Sequence, residues 1–247
     1  MTAYEALSAM YDDLTHNIDY EKRCRYIKSV FKQNSIKGIV LDAGCGTGTL
    51  TLLLSECGFD MIGVDISNAM LNCAYIKSAE SGCDIRWLNQ DLCKLDLYGT
   101  VVGITCMQDT INHIENEQKL DEVFRRFSLF MEKGGVIIFD YNTEYKHRDI
   151  LADNVFVFES EQGFCVWQNE FQPQKNRVML TVDVFEKNES VYTRKTDVFF
   201  EYTYQPNQIE ELLKKYGFEV IESIDGEEYT PIHSKTQRII TSARKIV

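Results

Sequence analysis

Three acids close three apolar runs in the first part of this 247-residue chain: Asp42 after Ile39-Val40-Leu41, Asp65 after Met61-Ile62-Gly63-Val64, and Asp91 soon after Ile85-Arg86-Trp87-Leu88. Between the first two lies Gly44-Cys45-Gly46-Thr47-Gly48, with glycines at alternate positions. Such a turn lets a ligand approach the backbone where side chains would stand in the way. An acid roughly 20 residues past the turn can accept both hydroxyls of a ribose, which is the place of Asp65. Asp91 stands where an adenine amino group would need an acceptor. After the fourth apolar run the residues are Met107-Gln108, so the acidic series stops there. The set describes a nucleoside-containing ligand lying along one edge of a sheet.

The elements that must hold these residues alternate in type. Apolar runs at 39–41, 61–64, 85–88, 101–106 and 135–139 read as buried strands. The intervening segments read as helices: Thr49 to Cys57 stopped by Gly58, a helix capped by Ser67 and stopped by Gly82, and one through Leu120, Val123, Phe124, Phe127 and Phe130. This rhythm predicts an α/β fold whose parallel sheet gathers ligands at the carboxyl ends of its strands. After residue 142 the pattern changes. Segments at 155–159, 164–171, 177–185 and 191–204 alternate in polarity and are rich in Val, Phe, Tyr and Thr, which predicts an inserted antiparallel sheet. A helix from Gln208, a strand at 218–224 and a last strand from Arg238 return to the first pattern. Two helices precede everything: one with Tyr4, Leu7, Tyr11 and Leu14 on a face, and one capped by Asp19 and running to Lys32. They are expected to form a lid, residues 1–34, with Tyr4 and Leu14 packed on the sheet. The expected organisation is a ligand-binding domain over 1–142 and 205–247 with a subdomain over 143–204.

Composition narrows the function. The formal net charge is -12 with a pI near 4.9, which disfavours partners held by phosphate neutralisation, so neither nucleic acid nor an anionic membrane is expected. No apolar run reaches the roughly 20 residues of a membrane span, and the first residues lack a signal peptide's basic end and apolar core. A cytoplasmic protein is expected. The eight cysteines form no Cys-x-x-Cys pair and read as small core residues of a reduced compartment, with no metal site.

The motifs together resemble the class I S-adenosylmethionine-dependent methyltransferases: Leu41-Asp42-Ala43-Gly44-Cys45-Gly46-Thr47-Gly48, then Gly63-Val64-Asp65-Ile66-Ser67, then Gln90-Asp91-Leu92. The resemblance covers nearly the whole chain. It implies a Rossmann-like, mostly parallel sheet with an antiparallel last strand, S-adenosyl-L-methionine as methyl donor and S-adenosyl-L-homocysteine as product. It places Gly44, Cys45, Gly46 and Gly48 by the methionine and ribose part, Asp65 and Ile66 at the ribose, Gln90, Asp91 and Leu92 at adenine, and Met107 and Gln108 by the methionine end. Asp42 either braces the turn or acts through water near the cofactor's amino group. A narrower likeness is carried by Tyr11-Asp12-Asp13-Leu14, Asp19-Tyr20, Thr110-Ile111-Asn112-His113-Ile114 and the inserted sheet. These resemble small-molecule N-methyltransferases that include the deoxyaminosugar dimethyltransferases. That likeness implies that Tyr11 and Tyr20 face the cofactor and that His113 lies beside the substrate.

Methyl transfer from a sulfonium is an in-line displacement, so the protein must align the reactants and exclude water. An amine acceptor must lose a proton, and an imidazole, with its ordinary pKa near ~6.5, suits His113 to that task. Tyr11 and His113 are therefore the expected catalytic residues. His16 lies in the lid, Tyr141 and Tyr145 are candidates for the acceptor pocket, and His147 and His233 read as solvated. An Asn/Asp-Pro-Pro-aromatic motif, as used on amines of DNA or protein glutamine, is absent after the fourth strand, and a Pro-Cys nucleophile is absent too. A small-molecule acceptor is the expectation. The alternatives are a non-catalytic cofactor-binding protein and a nicotinamide-dependent oxidoreductase. A monomer or a homodimer is expected, since the inserted sheet can either cover the acceptor or present an exposed strand to a second copy.

Overall fold

The computed structural model describes residues 7–247, Ala9 by its backbone alone, so the expectation for Tyr4 lies outside the described residues. A 3-10 turn, Ser8–Met10, leads into the one-turn helix α1 (Tyr11–Leu14) and then α2 (Tyr20–Gln33). Asp19 caps α2 by accepting the Lys22 N–H at 2.7 Å. Next come β1 (Ile39–Ala43), α3 (Thr49–Glu56), β2 (Asp60–Asp65), α4 (Asn68–Ser81), β3 (Arg86–Asn89), β4 (Val101–Cys106), α5 (Glu117–Phe130) and β5 (Met131–Asn142). A π-helical turn, Lys146–Leu151, precedes β6 (Val155–Ser160), β7 (Gly163–Gln172), β8 (Arg177–Asn188) and β9 (Val191–Tyr202). The chain ends with α6 (Pro206–Lys215), β10 (Phe218–Asp225) and β11 (Arg238–Lys245).

Seven strands form one sheet in the order β10-β11-β5-β4-β1-β2-β3, and β6 to β9 form a second, antiparallel one. In the large sheet β1 to β5 run parallel, while β11 runs antiparallel to both β5 and β10. The antiparallel last strand and the separate β-sheet are as the sequence predicts. Register sets the functional edge: Asp42 lies beside Gly63 and Thr105, and Asp65 beside Asn89. Because β11 is reversed, its first residue, Arg238, lies beside the last residue of β5, Asn142. A residue from near the end of the chain thus reaches the same edge.

Apolar side chains fill both faces of the large sheet. Phe124, Phe127 and Leu120 of α5 pack with Ile209 and Leu213 of α6 on one side, and Ile27, Val30 and Phe31 of α2 pack with Leu50 and Leu54 of α3 on the other. Each fully buried side chain of this size stabilises the fold by about 1.5–3 kcal/mol. Leu7, Met10 and Leu14 pack instead against Cys165, Val178, Leu180 and Val182 of the antiparallel sheet. This corrects the expectation that Leu14 packs on the main sheet. Alternate residues of β7 and β8 supply an apolar face, and the first helix is what covers it.

Candidate functional site

The turn after β1 is built by close approach. Gly44, Gly46 and Gly48 all have positive φ, at 74°, 54° and 77°. A Cβ on Gly44 would lie 2.4 Å from Thr110, and one on Gly48 would lie 2.6 Å from Trp87. At Gly46 it would meet no protein atom within 4 Å, so the backbone there borders open space. That space belongs to a cavity of about 590 Å³ along the carboxyl edge. The Asp65 carboxylate accepts the Gly46 N–H at 2.9 Å with one oxygen and the Ser67 N–H at 2.8 Å with the other. Burial raises its pKa, and those two backbone donors oppose the rise. Each carboxylate oxygen has two lone pairs, so one on each is left for a ligand hydroxyl.

Gly44, Gly46, Asp65, Ile66, Gln90, Asp91 and Leu92 all line this cavity. Tyr11, Gln108 and His113 line it too, as do Phe199, Phe200 and Tyr202 of β9, which the sequence alone does not identify. Asp91 also caps the short turn after β3 through the Cys93 N–H at 2.9 Å, and the Gln90 amide clasps Asp96. Tyr20, Asp42, Cys45 and Met107 surround an adjoining recess of about 30 Å³. Gly48 lines neither space. Its place is fixed by Trp87 and Ala74.

Asp42 joins β1 to α3 and β4. It is buried and accepts Thr51 Oγ1 at 2.5 Å and Thr105 Oγ1 at 2.8 Å. Burial pushes its pKa up from 3.8 to about 6 against the pull of these two hydroxyls. A carboxyl whose folded pKa is raised binds its proton more tightly in the folded state, so its contribution to stability falls as pH rises through that window. Asp42→Asn is therefore expected to remove part of the decline in melting temperature between about pH 4 and 6. Parallel pH profiles for variant and parent would contradict this.

The first helix is tied to the same turn. Asp12 Oδ1 accepts Thr47 Oγ1 at 2.6 Å and Thr49 Oγ1 at 3.3 Å, and Asp12 Oδ2 pairs with Lys77 at 2.8 Å. Tyr11 follows from this anchorage and lines two cavities at once.

The second cavity is also about 590 Å³ and, among the described residues, shares only Tyr11 and Gln108 with the first. Such volumes suit small ligands. Its apolar wall includes Leu7, Leu14, Phe156, Phe158 and Trp167, and its polar wall includes Arg23, Asp109, Asn142, Lys146, Glu201 and Arg238. Arg23, Asp109 and Arg238 of this wall share one network around the buried Asp140. Asp140 accepts the Asp109 N–H at 2.6 Å and lies 3.3 Å from Arg23 and 3.1 Å from Arg238. Arg238 reaches Asp109 at 2.7 Å and Glu227 at 3.2 Å, while Arg23 donates to Gln108. Burial alone would raise the Asp109 pKa, but the charges of Arg238 and then Lys146 hold it below the usual carboxylate range. Gln108 and Asp109 both have positive φ, 58° and 52°, a conformation that costs a non-glycine residue energy and needs such external support.

His113 lies where the cavities approach each other. Its Nε2 is 3.8 Å from Asp109 Oδ2, and its ring is 5.5 Å from that of Phe199. One ligand atom each from Asp109, His113 and Glu201 fall within 4.8 Å of one another. Of the other histidines, His147 corrects the expectation of solvation: it is fully buried between Thr203 Oγ1 at 2.7 Å and Glu201 Oε2 at 3.0 Å. His16 is exposed against the Asp13 carbonyl at 2.5 Å, and His233 is exposed, as expected, 3.4 Å from Asp225. Tyr141 is core, stacked beside Phe139, and Tyr145 lines neither cavity. Cys24, Cys106 and Cys165 are buried, whereas the other five cysteines are partly exposed. The residues that sequence reasoning missed, Arg23, Asp109, Lys146, Glu201 and Arg238, come from five separate segments. Only the expectation of a reversed last strand hinted at one of them, since it brings Arg238 to this edge.

Comparison with known proteins gives the same outline. A family described as methyltransferase domain matches residues 40–135. The putative methyltransferase YqeM of Bacillus subtilis (strain 168) is 25% identical over 98% of this chain and 97% of its own length. The structure of an S-adenosylmethionine-dependent methyltransferase from Clostridium acetobutylicum ATCC 824 superposes with a TM-score of 0.89 at 28% identity, covering 99% of both chains. The sugar N-methyltransferase KedS8 from Streptoalloteichus sp ATCC 53650 has the same fold, with a TM-score of 0.77 at 17% identity over 96% of this chain and 93% of that one.

Proposed function

We propose that this chain, which shares the fold and motifs of the class I S-adenosylmethionine-dependent methyltransferases, methylates an amine nitrogen of a small molecule held in the second cavity. The observation that carries this reading is the gathering of Asp109, His113 and Glu201, three acceptors of hydrogen bonds, between the two cavities. An amine presents N–H donors that such a cluster can hold and orient. The residues along the first cavity fit the cofactor: an open cradle at Gly46, a strand-end carboxylate at Asp65 and a further acceptor at Asp91. When bound, S-adenosylmethionine supplies an electrophilic methyl group on sulfur. The chain's own part is to hold the amine in line, keep water out and take up the proton. Tyr11 and Gln108, which border both cavities, line the passage between them. His113 takes the proton, and Asp109, 3.8 Å away and held ionised by Arg238, stabilises the resulting imidazolium. The domain limits expected from sequence and a role in the cytoplasm are part of the same proposal. No helix among the described residues is long and apolar enough to cross a membrane.

The test is a panel of paired amines and alcohols of matched shape, read by S-adenosylhomocysteine release. Amines are expected to turn over and alcohols not. Transfer to alcohols alone would overturn the choice of nitrogen, and tight cofactor binding without transfer to any partner would favour a non-catalytic role. His113→Gln is expected to lower kcat at least ~10-fold and to flatten the acid limb of the kcat profile, the size expected for a lost general base. An unaltered rate across pH would remove His113 from that role.

A further inference from the structure

The polar wall of the second cavity carries a cation that the proposed transfer leaves unused. Lys146 begins the π-helical turn after β5, and its ammonium donates to Asn142 Oδ1 at 3.0 Å. No carboxylate among the described residues forms an ion pair with it. The nearby acids are matched elsewhere: Asp109 by Arg238 at 2.7 Å, and Glu201 by His147 at 3.0 Å and the Asn142 amide at 2.8 Å. An ammonium has three N–H donors, so two remain for whatever fills the cavity. Lys22, the other lysine on this wall, is already used at the rim, on the Glu227 carbonyl at 3.0 Å and 4.3 Å above the Tyr229 ring. Burial and then the charge of Arg238 lower the Lys146 pKa, a penalty that an anion in the cavity would relieve.

We propose that Lys146 binds an oxyanion of the acceptor, carboxylate or phosphate, so that the acceptor is zwitterionic. This rests on the amine reading above. The amine lies at Asp109, His113 and Glu201, the oxyanion at Lys146, and an apolar or aromatic body lies against Phe156, Phe158 and Trp167. One side-chain amide, Asn142, links the Lys146 ammonium to the Glu201 carboxylate, so the two charged groups of the acceptor are only a few bonds apart.

The test is calorimetry on the full chain loaded with S-adenosylhomocysteine, using phenylalanine, phenethylamine, 3-phenylpropionate and inorganic phosphate as probes. The parent protein is expected to bind the amino acid and the deaminated acid, and phosphate competition against the acid identifies which oxyanion the site prefers. In Lys146→Met both acids weaken by about 10- to 100-fold, the range of one hydrogen bond to a charged group, while phenethylamine is unchanged. Lys146→Arg retains the acids, which separates lost charge from lost folding. Equal weakening of acid and amine, or no binding of either acid or phosphate by the parent, overturns the proposal. Because this readout needs no methyl transfer, failure of the nitrogen assignment would leave its result standing.

Discussion

Replacing Asp65 by Ala is expected to weaken S-adenosylhomocysteine binding by on the order of 100- to 1,000-fold, measured by titration calorimetry, while the melting temperature changes little. Two effects add. A ligand hydroxyl loses a charged acceptor, worth about 1.5–3 kcal/mol for each hydrogen bond. The turn also loses its clamp, because the same carboxylate holds the Gly46 N–H at 2.9 Å and the Ser67 N–H at 2.8 Å. Asp65→Asn should fall between the two, since an amide keeps one acceptor and opposes one backbone donor with another. A loss below ten-fold for Asp65→Ala would take the ribose away from this residue.

Arg238→Met is expected to cost the fold about 3–5 kcal/mol, the range found when one partner of a buried charge pair is removed, as read from urea unfolding. It leaves Asp140 with Arg23 alone and strips Asp109 of its closest cation. Turnover should fall further than stability explains, because Gln108 and Asp109 hold left-handed backbone conformations that this network supports. Arg238→Lys should not restore the parent behaviour: a lysine cannot reach Asp109, Asp140 and Glu227 with one planar fork. By contrast Glu227→Gln, at a side chain 52% exposed, should cost less than about 1 kcal/mol. Similar losses for the two positions would show that the network contributes little.

The edge proposed for the cofactor is legible in the sequence because its logic is local. Asp42, Asp65 and Asp91 each end or follow an apolar run, and Gly44, Gly46 and Gly48 mark a backbone that must turn with positive φ. The side proposed for the acceptor is much less so. Lys146 and His147 lie in Glu144-Tyr145-Lys146-His147-Arg148-Asp149, a charged stretch that reads as solvated surface. The partners that bury His147, Glu201 and Thr203, lie on or just after β9, more than fifty residues on. Periodicity assigns a residue to an element and a face, but a buried charge is specified by partners that folding alone brings together. Arg23 shows the limit: it adjoins the apolar face of α2 marked by Tyr20, Cys24, Ile27 and Phe31, yet Asp140 and Gln108, from other elements, explain why it is buried. The first helix was expected to be a lid, and its covering of the antiparallel sheet followed from the apolar face of β7 and β8 rather than from anything in its own sequence.

The fastening of that first helix bears on the enzyme's residence time for its ligands. Asp12, with its side chain 48% exposed, joins the helix to the glycine turn through two hydroxyls and Lys77. An exposed ion pair contributes only about 0–1 kcal/mol and weakens with salt. The ion pair with Lys77 therefore sets an orientation while adding little stability. A methyltransferase must discharge a spent nucleoside after every turnover. If the first cavity takes the cofactor as proposed, the helix can part from the glycine turn while Leu7, Met10 and Leu14 keep it seated on the antiparallel sheet, so the product leaves without the helix unfolding.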